Sequence, residues 1–133
     1  MSKVDNSKLY LRTFNEQLSS FVDELEIVFP ENKTVLSVKM GVDTLKKANP
    51  KLIISAWQNY VVIPYYAKID EGDYNFFIEK DYTTDLNDYS NSKSVLKSID
   101  DMRSSVREMD ENNKQKSLEY IRNLCKLSQA YHN

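Results

Sequence analysis

From Leu11 onward, apolar residues return at steps of three and four: Leu11, Phe14, Leu18, Phe21, Val22, Leu25 and Val28 fall on one side of a 3.6-residue repeat. The pattern predicts a helix that ends at Phe29, because Pro30 disfavours helical geometry at the residue before it. A second helix restarts from Glu31 onward. It carries Val35, Val38, Val42 and Leu45 in one stripe, widened by Leu36 and Met40. Gly41 inside it costs about 1 kcal/mol relative to alanine, which points to close packing at that turn.

Asn49-Pro50 is a helix-start signal, since asparagine can cap backbone N–H groups and proline suits the first helical position. The third helix that follows has a broad apolar face of Leu52, Ile53, Ala56, Trp57, Tyr60 and Val61, as expected of a central helix touched from more than one side. Pro64 predicts a kink, with the helix continuing through Tyr65, Tyr66 and Ile69 to stop at Gly72. A strand over Tyr60 to Tyr66 is the competing reading. Asp73 then caps a short helix with Tyr74, Phe76, Phe77 and Ile78, and the polar stretch from Asp81 to Ser92 reads as a loop. Two more helices finish the chain, one with Val95, Leu96, Ile99, Met102, Val106 and Met109, the other with Leu118, Ile121, Leu124, Cys125, Leu127 and Tyr131. Asp110 to Lys114 is short enough to fold them back as an antiparallel pair. The expected fold is all-α: one compact domain over residues 1–133, of about five to six helices with a C-terminal antiparallel helix pair.

Composition agrees. In 133 residues there are two glycines and three prolines, too few for a turn-rich β fold, and 41% hydrophobic with 29% charged residues is a globular balance. A net charge of −2 argues against a surface built to neutralise many phosphates. One cysteine, Cys125, cannot form an internal disulfide, and the N-terminal residues lack a secretory apolar run, so a reducing compartment is expected. The stretch from Ala56 to Ala67 is broken by Gln58, Asn59 and Pro64 and is too short for a membrane span.

Candidate chemistry is sparse. His132, the only histidine, stands next to the last residue, a poor place for a preorganised base. Cys125 lies beside Leu124 on an apolar face, without a histidine to activate it, and one cysteine with one histidine makes no zinc set. Asp70, Glu71, Asp73, Glu79, Asp81, Asp85 and Asp88 offer oxygen ligands. The loop from Asp81, however, lacks the glycine of a helix-loop-helix calcium site and has Ser92 in place of its terminal glutamate. Asn32-Lys33-Thr34 matches a glycosylation acceptor that is expected to stay unmodified. No enzyme activity and no cofactor are expected.

The region from Trp57 to Tyr89 holds nine of the fifteen aromatic residues and the densest acidic run. Trp57, Tyr60, Phe76 and Phe77 are expected in the core. Tyr65, Tyr66, Tyr74, Tyr82 and Tyr89 lie among carboxylates, and a tyrosine-rich acidic surface suits a protein partner with a basic patch. The expected partner-binding residues are Tyr65, Tyr66, Asp73, Tyr74, Asp81 and Tyr82. Arg103, Arg107, Lys114, Lys116, Arg122 and Lys126 are interleaved with Glu108, Asp110, Glu111 and Glu119, as on a solvated face. If folding segregates those signs, the same hairpin becomes a stripe for RNA or DNA.

One set of motifs runs along almost the whole chain. It comprises Phe14, Leu18, Phe21, Leu25 and Phe29-Pro30-Glu31, then Asn49-Pro50-Lys51, Pro64-Tyr65, Gly72-Asp73, Phe76-Phe77, Lys80-Asp81-Tyr82 and Met109 to Lys114. In order and spacing the set resembles a family of small helical proteins of the nucleocytoplasmic large DNA viruses of algae and protists. The resemblance implies a helical fold and a viral origin, in host cytoplasm, a viral factory or the virion, and supplies no catalytic residues. The function it suggests is a non-enzymatic structural or interaction protein that binds a viral or host protein. The alternative is a nucleic-acid-associated accessory factor for viral transcription, replication or packaging.

Overall fold

In the computed structural model of the chain, residues 6–80, 104–105 and 107–133 are described, and every regular element among them is helical. The first helix, α1, spans Ser7–Val28, and Phe29 closes it by donating its N–H to Leu25 O at 2.8 Å. The second helix begins later than Glu31. Glu31 adopts a left-handed φ of 67°, so it belongs to the turn, and Asn32 is the cap of α2 (Lys33–Ala48), its Oδ1 accepting the Val35 N–H at 3.1 Å. The other end of that amide donates to Ser105 Oγ at 3.3 Å.

Only the side of α2 that carries Val35 and Val42 packs inward. Leu36, Val38, Met40 and Leu45 remain exposed, so the wide apolar pattern of α2 has no equally wide buried face. Close packing at Gly41 is also corrected: a Cβ there would meet nothing within 4 Å, because the residue lies on the outer side of the helix.

Asn49 ends α2 rather than capping the next helix. Its N–H bonds Leu45 O at 2.8 Å, and its own carbonyl accepts the Leu52 N–H at 3.1 Å as α3 (Leu52–Trp57) begins. The chain then widens into a π-helical turn over Gln58–Val62 and continues as α4 (Ile63–Glu71). The Ile63 N–H reaches back five residues to Gln58 O. This wider turn precedes Pro64 and places proline in the first turn of α4, where its missing N–H does little harm, so the helix survives and no strand forms. Gly72 closes α4 at φ 77°, with its N–H on Ile69 O and that of Asp73 on Lys68 O, a Schellman ending.

Asp73 caps α5 (Tyr74–Glu79) by accepting the Phe76 N–H at 3.0 Å. The last helix, α6 (Glu111–His132), is capped by Asp110 through the Asn113 N–H at 2.8 Å. Thus residues expected as a linker up to Lys114 form its first turn. Residues 104–105 and 107–108 are helical, whereas the remainder of the expected helix from Val95 and the loop from Asp81 to Ser92 lie outside the described residues.

The long helices run antiparallel. Ser19 receives a hydrogen bond from Lys46 while Asp23 and Glu26 meet Lys39, which sets α1 against α2. Phe21 stacks on Tyr120, and Tyr131 packs against the cluster around Phe14, which sets α1 against α6. Ile54 pairs with Ser128 and Asp70 with Arg122, which sets the α3–α4 rod against α6. One core cluster joins Phe14, Leu18, Ile54 and Leu124, and another joins Val62, Ile69, Leu118 and Cys125. Trp57 borders both, edge-on to Phe14 at 6.0 Å, so the expectation of a central third helix holds for its indole. Full burial of each large side chain here contributes about 1.5–3 kcal/mol.

Candidate functional site

The π turn rotates the α3–α4 rod by one residue midway along its length, and this decides which apolar side chains are left outside. Ile54, Val62 and Ile69 point into the two clusters. Tyr60, Ile63, Pro64 and Ala67, at helical spacing, are exposed on the opposite side, Tyr60 by 46% and Ile63 by 70%. Asp70 and Glu71 continue that exposed side to the end of α4. Tyr60 is therefore not a core residue, which corrects its expected place.

The expected binding residues are placed differently from this stripe. Tyr65 and Tyr66 are half-buried and pack on the cluster of Val62, Ile69, Leu118 and Cys125. Tyr65 also tilts against Phe76 with centroids 6.0 Å apart, while Lys80 Nζ stands 5.3 Å from its ring. Lys68 Nζ lies 5.3 Å from the Phe76 ring and pairs with Glu71 at 3.6 Å and Asp73 at 3.9 Å. Asp73 thus serves as a helix cap and ion-pair partner. Tyr74 opens α5, and Asp81 and Tyr82, with Asp85, Asp88 and Tyr89, lie outside the described residues. The structure brings Tyr65, Lys68, Asp73, Phe76 and Lys80 together as a bracket that fixes α5 to α4, and the Lys68–Glu71 pair joins this bracket to the edge of α4's exposed stripe.

Arg122 on α6 donates to Asp70 O at 2.8 Å, satisfying a carbonyl at the negative end of α4, and Arg107, ahead of α6, pairs with Glu79 at 3.2 Å. Two of the six cations expected on the hairpin are therefore used to hold α4 and α5 in place. Cys125 is fully buried. Its thiol is pushed up by burial, and the Trp57 indole N–H at 3.4 Å from Sγ offsets this in part, so it stays protonated and inert. His132 is exposed, with Nδ1 donating to Ser128 O at 2.7 Å. Among the described residues, no cluster of three or more His, Cys, Asp and Glu could hold a metal ion, and no helix is long and apolar enough to cross a membrane.

Sequence reasoning missed Ile63 and Pro64 as surface groups because Tyr60-Val61-Val62-Ile63 is apolar on every side. A uniform helix repeat does not say where a π turn shifts the phase. Comparison with models of known families, with curated proteins and with solved structures finds no match for the chain.

Proposed function

We propose that this chain is a non-enzymatic interaction module whose exposed α4 face, Tyr60, Ile63, Pro64 and Ala67 with Asp70 and Glu71, seats a protein partner that brings an apolar anchor and a basic rim. The observation that carries the reading is the 70% exposure of Ile63 one turn from a half-exposed Tyr60 on a helix whose opposite side is locked into the core. A tyrosine and an aliphatic anchor on a rigid support cost little entropy on binding, and neighbouring carboxylates select a partner of opposite charge. On this reading the module is a single domain of five to six helices with a C-terminal antiparallel pair that works in the infected cytoplasm, the viral factory or the virion, a setting that the resemblance to small proteins of large DNA viruses supports. Its partner is then a viral or host protein. Cross-linking in source cells, read by mass spectrometry, tests this. Cross-links from Lys68, beside the stripe, to one dominant protein support the reading, and cross-links confined to Lys114, Lys116 and Lys126 that vanish with nuclease overturn it in favour of nucleic acid.

A further inference from the structure

The π turn that sets the phase of α4 also changes the backbone bonding beside its exposed stripe. In an α-helix the carbonyl of Asn59 would accept the N–H of Ile63, four residues on. Here that N–H goes to Gln58 O instead. The next N–H in the same wider register would come from position 64, and Pro64 has none. Asn59 O thus lacks both donors that its helix could offer it. The residue is exposed, directly before the half-exposed Tyr60 and one turn before Ile63. Such an acceptor is left to water in the free protein and is open to a donor brought by a partner.

The register is fixed from the inner side of the rod. Gln58, the first residue of the turn, has its side chain 2.9 Å from Ser128 Oγ, and the same hydroxyl meets Ile54 O at 3.1 Å. Val62, the last residue of the turn, is buried in the cluster with Ile69, Leu118 and Cys125. The Asn59 carbonyl is therefore presented on an anchored backbone, which lowers the ordering cost of using it.

The surroundings select the donor. A hydrogen bond from a cation to a carbonyl is stronger than one from a neutral group. Arginine adds a planar guanidinium that stacks on aromatic faces, and Tyr60 is the next residue, 46% exposed. Asp70, exposed further along the stripe, favours a basic segment. We infer that the partner anchors on α4 through an arginine whose guanidinium donates to Asn59 O beside Tyr60, with a neighbouring apolar side chain on Ile63. The inference rests on the α4 face being the docking surface proposed above and names the residue type that the face takes.

The probes are two capped dipeptides, acetyl-Leu-Arg-amide and acetyl-Leu-norleucine-amide, titrated into the whole chain while amide and carbonyl resonances are followed by NMR. The arginine peptide is expected to bind about tenfold tighter, with saturable shifts at Ile63 and at the carbonyl carbon of Asn59. Pro64→Ala gives position 64 an N–H that closes on Asn59 O in the register of the π turn. It should abolish the preference for arginine while norleucine-peptide binding stays within about twofold, and an unchanged circular dichroism spectrum checks its fold. A full arginine preference in Pro64→Ala overturns the inference. So do arginine-peptide shifts centred on Asp70 and Glu71 that bypass Asn59 and vanish with salt. Equal affinity of the two peptides at Ile63 overturns the arginine and leaves the docking face standing, whereas a chain in which neither peptide moves any α4 resonance loses both.

Discussion

The two glycines of the chain should respond to alanine in opposite directions. Gly72 holds φ 77°, a region that costs an L-residue roughly 1–2 kcal/mol, and an added Cβ would stand 3.3 Å from Leu118 Cδ2 and 3.5 Å from an Arg122 guanidinium nitrogen. Leu118 is buried in its cluster and has little room to move, so the contact adds to the strain. Loss of backbone freedom in the unfolded chain returns part of it, about 0.4–1 kcal/mol, and the net expectation for Gly72→Ala is a loss of roughly 1–2 kcal/mol. Gly41 sits in α2 with nothing within 4 Å of its would-be Cβ, so Gly41→Ala should gain about 1 kcal/mol from helix propensity alone. For a chain of this length each kcal/mol moves Tm by about 3–5 °C. Urea titrations followed by circular dichroism would read both variants against the parent. A Gly72→Ala variant as stable as the parent would refute the left-handed closure of α4, and a destabilised Gly41→Ala would refute the open outer side of α2.

Three further outcomes follow from the packing. Ser128, fully buried, donates to Ile54 O at 3.1 Å and lies 2.9 Å from the Gln58 side chain, so Ser128→Ala should cost roughly 1–3 kcal/mol in urea unfolding and Ser128→Thr should not restore it. Cys125 has a folded pKa raised above its ordinary 9.0, so the native state keeps the proton that the unfolded state releases. Its contribution is therefore complete below about pH 9 and lost as pH rises beyond it, and the parent should lose more stability than Cys125→Ala between about pH 8 and 10. Tyr65→Ser, which opens the cluster under α4, should cost roughly 1–3 kcal/mol, whereas Ile63→Ser, on the exposed side, should change stability by less than about 0.5 kcal/mol.

The helical class was legible because Leu11 to Val28 and Leu118 to Tyr131 repeat cleanly and because Asp73 and Gly72 mark a start and a stop by side-chain and backbone chemistry that few other residues supply. Asn32 and Asn49 were harder. Asn32 follows Pro30 by two residues and Asn49 directly precedes Pro50, and only the backbone shows that Asn32 caps the helix after it while Asn49 closes the one before it. The exposed stripe of α4 was half legible: the aromatic density around Trp57 to Phe77 covers its region, but which side chains face out depends on the phase shift at Gln58–Val62 and on Cys125, Ser128 and Leu118 arriving from α6.

The central claim, that the outer face of α4 carries the interaction, is tested most directly by affinity purification of the parent and of Ile63→Asp side by side from source cells, with partners quantified by mass spectrometry. Ile63 is largely exposed, so the variant should fold like the parent. One dominant protein is expected with the parent and at least tenfold less of it with Ile63→Asp, while Met40→Asp, equally exposed on α2, recovers it in full. Equal recovery by the parent and by Ile63→Asp would contradict it.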